Sequence, residues 1–241
     1  LTPVTNKTYL EGIGSVNLKK SARAKYIRLK IDPEKGISVV VPQNIPEAAA
    51  IRFVRQKRAW IEKTMQKHAS LKKQHTLFTE STEFHTRSHR LRLLKHPKKT
   101  IKSMVSGNEI VVWYPDFAEA GDSRIQAFIR NTIQETWRLE AKKYLPLRVR
   151  ELANQFGFTY NKVSIKKAKT RWGSCSAKNN INLNIQLMRL PDPLIDYVIL
   201  HELMHTREKN HQRSFWNKLE QILPGARQLD KRLNSYNLSI W

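Results

Sequence analysis

Apolar and polar positions along this chain change period several times, and each change marks an element. Residues 14–20, 25–32 and 36–42 read as strands, and Tyr26-Ile27-Arg28-Leu29-Lys30-Ile31-Asp32 alternates as a half-buried strand does. Pro33-Glu34-Lys35-Gly36 forms a turn, with proline presetting φ and glycine permitting a positive φ. Ile37–Val41 is a short apolar strand that stops at Pro42. From Pro46 the period lengthens to that of a helix over about 46–68. Ala49, Phe53, Trp60, Ile61 and Met65 approximate its apolar face, and Arg52, Arg55, Lys57 and Arg58 dress the other. Residues 70–82 form a polar connection. Strand patterning returns near 83–95 and 100–114, and 115–122 reads as a boundary.

The second half is helix-rich. A long helix is expected from Ser123 to about Tyr144, with Ile125, Phe128, Ile129, Ile133, Trp137 and Leu139 as apolar contacts. Pro146 either kinks it or opens a second segment through Phe156, and Gly157 is its stop. Val163–Ile165 and Ile181–Ile185 are short strands. A further helix begins at Asp192, read as its cap, with Pro193 in the first turn and Leu194, Ile195, Val198, Ile199 and Met204 at helical spacing. Helices over about 212–223 and 226–236 complete the chain, separated by Pro224-Gly225. This order predicts an α+β fold in two regions. A basic, β-rich N-terminal region with one long helix spans 1–118. A domain over 119–241 encloses a cleft between a backing helix, a small antiparallel sheet and the helix that starts at Asp192.

Composition narrows the class. At 241 residues, with 40% apolar positions and a negative mean hydropathy, the chain can bury one good core or two small ones. No apolar run approaches the roughly 20 residues of a membrane span. The first ten residues are polar, without the apolar centre of a signal peptide, and the lone Cys175 excludes an internal disulfide, so a cytoplasmic location is expected. The net charge of +24 is spread out: residues 1–120 carry 23 basic and 10 acidic side chains, and residues 121–241 carry 21 and 10. Such a surface attracts polyanions, which makes nucleic acid or nucleotides possible partners.

The chemistry concentrates at His201-Glu202-Leu203-Met204-His205, followed by His211. Histidines four apart on a helix sit one above the other, so their imidazoles can grip one metal ion. Glu202 projects about 100° around the helix from His201, beside the metal rather than on it. His211 lies beyond the expected helix end and can fold back as a third ligand. Three protein ligands plus a water make a catalytic zinc site rather than a closed structural one. Glu202 is then the general base, and one Zn²⁺ ion is the expected cofactor.

The stretch Thr170–Trp216 resembles the YgjP-like metallopeptidase domain family, distant kin of the SprT-like and WLM metallopeptidases. The resembling residues are Thr170-Arg171-Trp172-Gly173-Ser174-Cys175-Ser176, Asn182-Leu183-Asn184, Pro191, His201-Glu202-Leu203-Met204-His205, and Asn210-His211 with Phe215-Trp216. More loosely the match covers nearly the whole chain. The resemblance implies a zincin-like catalytic domain and a metal-dependent hydrolase acting on a peptide or protein. The histidine spacing also matches that of metzincins, but Glu208 stands where those have glycine, so the chain is expected to turn through a left-handed Asn210.

Other residues carry alternatives. Arg171 is the first choice and Asn210 the second for stabilising the oxyanion. Trp172 either lines the cleft or belongs to the core. Cys175 is either a fourth ligand or a small buried hydrophobe. Phe215 and Trp216 anchor the segment that presents His211. A peptide substrate is expected to add as a strand beside Ile181–Ile185. Two rival activities stand beside the peptidase: a metal-dependent nucleotide phosphoanhydride hydrolase, and a nucleic-acid-associated protein or protease recruited through the basic surface.

Overall fold

A computed structural model describes residues 5–32, 36–73 and 76–238. The chain divides into one unit within residues 1–75 and another within residues 76–239. In the first unit, alternation builds strands β1 (Thr5–Leu10), β2 (Gly14–Ser21), β3 (Arg28–Asp32) and β4 (Gly36–Pro42). They form one sheet in the order β1-β2-β4-β3, with β2 and β4 parallel and the two outer pairs antiparallel. The first strand escaped the sequence reading because Leu10 is its one buried apolar residue among polar neighbours. The expected turn at Pro33–Lys35 lies outside the described residues.

The helix expected over 46–68 is two helices, α1 (Glu47–Gln56) and α2 (Arg58–Lys73), which meet at Lys57. The face they bury is Ala50, Val54 and Ile61, packed on Val16, Leu18, Ile37, Val39 and Val41 of the sheet. Trp60 and Met65, expected on that face, are exposed.

The second unit corrects the boundary placed at 118/119. Strands β5 (Arg90–His96), β6 (Lys102–Ser106) and β7 (Glu109–Pro115) form a mixed sheet in the order β5-β7-β6. Its buried residues Leu91, Leu93, Ile110, Val112 and Tyr114 belong to the same core as the long helix that follows, so this sheet belongs to residues 76–239. The connection before it is not wholly polar. Phe78 is fully buried, and the buried Gln126 amide fixes it by donating to the Phe78 carbonyl (2.7 Å) and accepting from its N–H (3.1 Å).

Helix α3 (Ser123–Phe156) runs unbroken through Pro146. Asp122 caps its N-terminus by accepting from the Arg124 and Ile125 N–H groups, and Gly157 ends it with φ 67°. Ile129, Ile133, Trp137, Ala141, Leu145 and Val149 form its buried stripe, whereas Leu139 is exposed. His89 is half-buried. Its Nδ1 lies 2.7 Å from the buried Glu140 carboxylate, which also accepts from Thr86 Oγ1 (2.6 Å) and the Ser88 N–H (2.9 Å).

Beyond α3 come β8 (Val163–Lys166), β9 (Gly173–Cys175) and β10 (Ile181–Asn184), then a 3-10 turn (Ile185–Arg189). This small sheet is mixed, not antiparallel as expected: β10 lies in the middle, parallel to β8 and antiparallel to β9. Alternation along a strand fixes which residues face the core but carries no information on strand direction. Helices α4 (Asp192–Met204), α5 (Arg213–Ile222) and α6 (Ala226–Leu233) follow. Asp192 is not the cap of α4. Pro191 holds that position, and the Asp192 carboxylate instead accepts from both terminal nitrogens of the Arg87 guanidinium, Nη1 (2.5 Å) and Nη2 (3.3 Å). Among the described residues no helix is long and apolar enough to cross a membrane.

Candidate functional site

Helix α4 is buried on most sides, through Leu194, Ile195, Val198, Ile199, Leu203 and Met204. Burial on this scale holds His201 and His205 in fixed register on one face. The helix closes at His205, where the Thr206 N–H bonds the Leu203 carbonyl (2.9 Å) and the Glu208 N–H bonds that of Met204 (2.9 Å). The chain then returns through His211 into α5. His211 Nε2 lies 2.8 Å from His201 Nε2 and 3.0 Å from His205 Nε2. Beneath all three imidazoles sits the fully buried ring of Phe215, with centroids 4.8–4.9 Å away.

The partners of the distal ring nitrogens fix two tautomers. His205 Nδ1 lies 2.9 Å from the Glu208 carbonyl, which can only accept, so Nδ1 carries the proton. Tyr197 Oη donates to the Asp230 carboxylate (2.8 Å), so its lone pair faces His201 Nδ1 at 3.2 Å, and that nitrogen must donate. Both rings therefore turn an unprotonated Nε2 inward. Burial, then the neighbouring His205 and His211, pushes the His201 pKa down to about 3; burial also lowers that of His205. Among the described residues these three imidazoles are the cluster able to hold a metal ion. Neutral inward-facing imidazoles with distal hydrogen bonds are a donor set that suits a divalent transition metal.

Glu202 is 7% exposed and packs against the main chain of β9. A Cβ at Gly173 would lie 2.7 Å from Glu202 Cγ and Oε1, so only glycine admits the carboxyl group there. Burial pushes the Glu202 pKa up to about 7, against the opposing pull of the Cys175 N–H and the Arg171 charge. A carboxyl poised near neutrality is suited to take up and release a proton.

The other expected site residues divide. Arg171 is exposed with its charge acting on Glu202, and Trp172 is half-buried against the main core. Buried Asn184 holds their segment by donating to the Ala168 (2.8 Å) and Arg171 (2.9 Å) carbonyls. Asn210 is exposed and does not take the left-handed conformation expected of it; among the described non-glycine residues only Asn179 has positive φ. Glu208 shapes the return instead. Its carbonyl receives His205, and its carboxylate receives Ser214 Oγ (3.1 Å) and Lys218 Nζ. The Cys175 thiol bonds the Ser176 carbonyl and stands outside the imidazole cluster. The strand at Ile181–Asn184 cannot take a peptide, because both its edges are occupied; the outer strands are β8 and β9, and β9 is the one that packs against Glu202.

Tyr197 and Asp230 went unread in the sequence. Tyr197 had a signal, since it sits four residues before His201 on the same helix face. Asp230 had none: α6 delivers it, with Glu220 capping that helix by accepting from the Gly225 (2.8 Å) and Arg227 (2.9 Å) N–H groups.

A family model described as YgjP-like, metallopeptidase domain, matches residues 25–236. Two solved structures are similar over part of the chain. The metallopeptidase zymogen of Pyrococcus abyssi abylysin is 24% identical over 36% of this chain and 90% of its own, with a TM-score of 0.34. That of Methanocaldococcus jannaschii jannalysin is 24% identical over 36% of this chain and 91% of its own, with a TM-score of 0.33. A search of curated proteins gave no match.

Proposed function

The chain belongs to the YgjP-like metallopeptidase domain family, and from that premise we propose a zincin-like peptidase in which His201, His205 and His211 hold one zinc ion and Glu202 is the general base. The observation that carries this reading is the convergence of three Nε2 atoms, two of them deprotonated by their distal partners. Zinc bound there supplies Lewis acidity toward a scissile carbonyl and acidifies water. The chain's own groups do the rest. The Glu202 carboxylate takes the proton of the attacking water and passes it to the leaving amine. A peptide lies along the outer edge of β9, next to Glu202, held by main-chain hydrogen bonds that read little sequence. Arg171 is the candidate for the developing oxyanion, because its charge already reaches the carboxyl that faces β9.

The test is hydrolysis of an unfolded protein such as casein, with nucleoside triphosphates run beside it as the alternative substrate class. Chelation should abolish casein cleavage, and stoichiometric zinc should restore it. Casein cleavage that survives removal of the metal, or hydrolysis confined to the nucleotides, would sink the peptidase reading.

A second expectation concerns Tyr197. Phenylalanine there leaves the His201 Nδ1–H without its acceptor and Asp230 without its donor. Loss of such outer partners weakens metal binding by about 10- to 100-fold. Competition against a fluorescent chelator measures this directly, and Tyr197→Phe should shift zinc affinity with little change in fold.

A further inference from the structure

The first unit has a face of concentrated positive charge. Residues 1–75 carry 16 basic and five acidic side chains, a net +11 on less than a third of the chain. The pairing of the sheet shows where part of that charge goes. Val16, Leu18, Ile37 and Val39 point toward α1 and α2. Alternation therefore sends their neighbours to the opposite face. Across that face Lys7 stands opposite Asn17, Asn17 opposite Ser38, and Ser38 opposite Lys30. In the next row Lys19 stands opposite Val40, and Val40 opposite Arg28. Lys7, Lys19, Arg28 and Lys30 are all exposed. Asp32, at the end of β3, is the one carboxylate among the described residues of these four strands.

Tyr9 adds a different chemistry. It stands on the same face as Lys7, two positions along β1, and is 75% exposed. Strand spacing separates Lys7 from Lys30 by about 14 Å, and residues two apart on a strand by about 7 Å. The surface is thus a flat platform with cations at its margins, an amide and a hydroxyl between them, and an exposed ring in the adjoining row. Cations match phosphates, Asn17 and Ser38 offer donors and acceptors to base edges, and a ring stacks on an unpaired base. A duplex, with its bases already stacked, offers nothing to Tyr9.

We infer that the open face of the β1-β2-β4-β3 sheet binds single-stranded nucleic acid, with Lys7, Lys19, Arg28 and Lys30 on phosphates and Tyr9 stacked on a base. Four phosphate contacts give a slope of log affinity against log salt of about −3, and four-site neutralisation costs about 600-fold at 0.1 M salt. The stacked ring contributes about five- to 150-fold.

The experiment is fluorescence anisotropy of the full chain with a labelled oligouridylate of about 16 nucleotides. Changing Lys7, Lys19, Arg28 and Lys30 together to Gln should flatten the salt slope and abolish most of the affinity. Tyr9→Ala should weaken binding without altering that slope. The control removes equal charge from the helices, by glutamine at Arg52, Arg55, Lys57 and Lys63, and should change the slope far less. These substitutions are at exposed positions, and a circular dichroism melt confirms that each variant folds. The proposal fails if the control loses as much affinity as the sheet variant. It fails equally if Tyr9→Ala binds as the parent does, a result that leaves charge alone and points to an acidic protein surface.

Discussion

On the proposed role of Glu202, the Glu202→Gln protein should keep its metal and lose peptide hydrolysis by about 10²- to 10⁴-fold, the usual contribution of a general base. The amide fills the same space against Gly173 but cannot accept the proton, so metal content per chain stays at the parental value while turnover collapses. A second readout separates the carboxyl from the metal. In stripped protein Glu202 has its pKa raised by burial from an ordinary 4.5 to about 7. A raised pKa means that the fold disfavours the ionised form. The associated stability is fully present below about pH 4.5 and is lost as pH rises through 7. The loss amounts to about 3 kcal/mol when complete. Glutamine does not ionise, so stripped Glu202→Gln should melt above stripped parent at pH 8, with the gap closing toward pH 5. Parallel melting curves at both pH values would remove the buried-carboxyl account.

Gly173→Ala should be nearly as damaging, although it deletes nothing. Gly173 has no positive φ, so the strand accepts alanine, yet the added methyl falls 2.7 Å from Glu202 Cγ and 3.0 Å from Cδ. Glu202 lies between Leu203 and His201 on a helix buried on most sides and has little room to retreat. A displacement near 1 Å at a catalytic group costs about 10²-fold. Overpacking adds about 1–3 kcal/mol of destabilisation. The decisive comparison is the double variant: alanine at 173 on the Glu202→Gln background should lower activity no further, because the group it displaces no longer acts. Independent losses that multiply would place the effect of Gly173 elsewhere.

Local pattern made some of this molecule legible and packing hid the rest. The helix of His201 and His205 follows from the spacing of Leu194, Ile195, Val198 and Ile199, and α3 follows from its apolar stripe and the Gly157 stop. Strand directions did not follow, because Val163–Lys166 alternates equally well parallel or antiparallel to its neighbour. The unit boundary was missed because the strands between Arg90 and Pro115 look like those near the N-terminus; only the core they share with Trp137 and Ile133 assigns them. At the site, the histidines and Glu202 are written in one short motif. Asp230 arrives from a helix 29 residues after His201, and no periodicity announces that its carboxylate meets Tyr197.

The Phe215 ring under the three imidazoles has a kinetic and thermodynamic meaning. A fully buried aromatic floor gives each of the three imidazoles a packing partner that is in place whether or not an ion is bound. On the proposed ligand set, capture would then forfeit less conformational entropy, and more of the attraction between ligand atoms and ion would survive as affinity. A cage assembled in advance also discriminates by size and bond angle, since it cannot relax around an ion that prefers another shape.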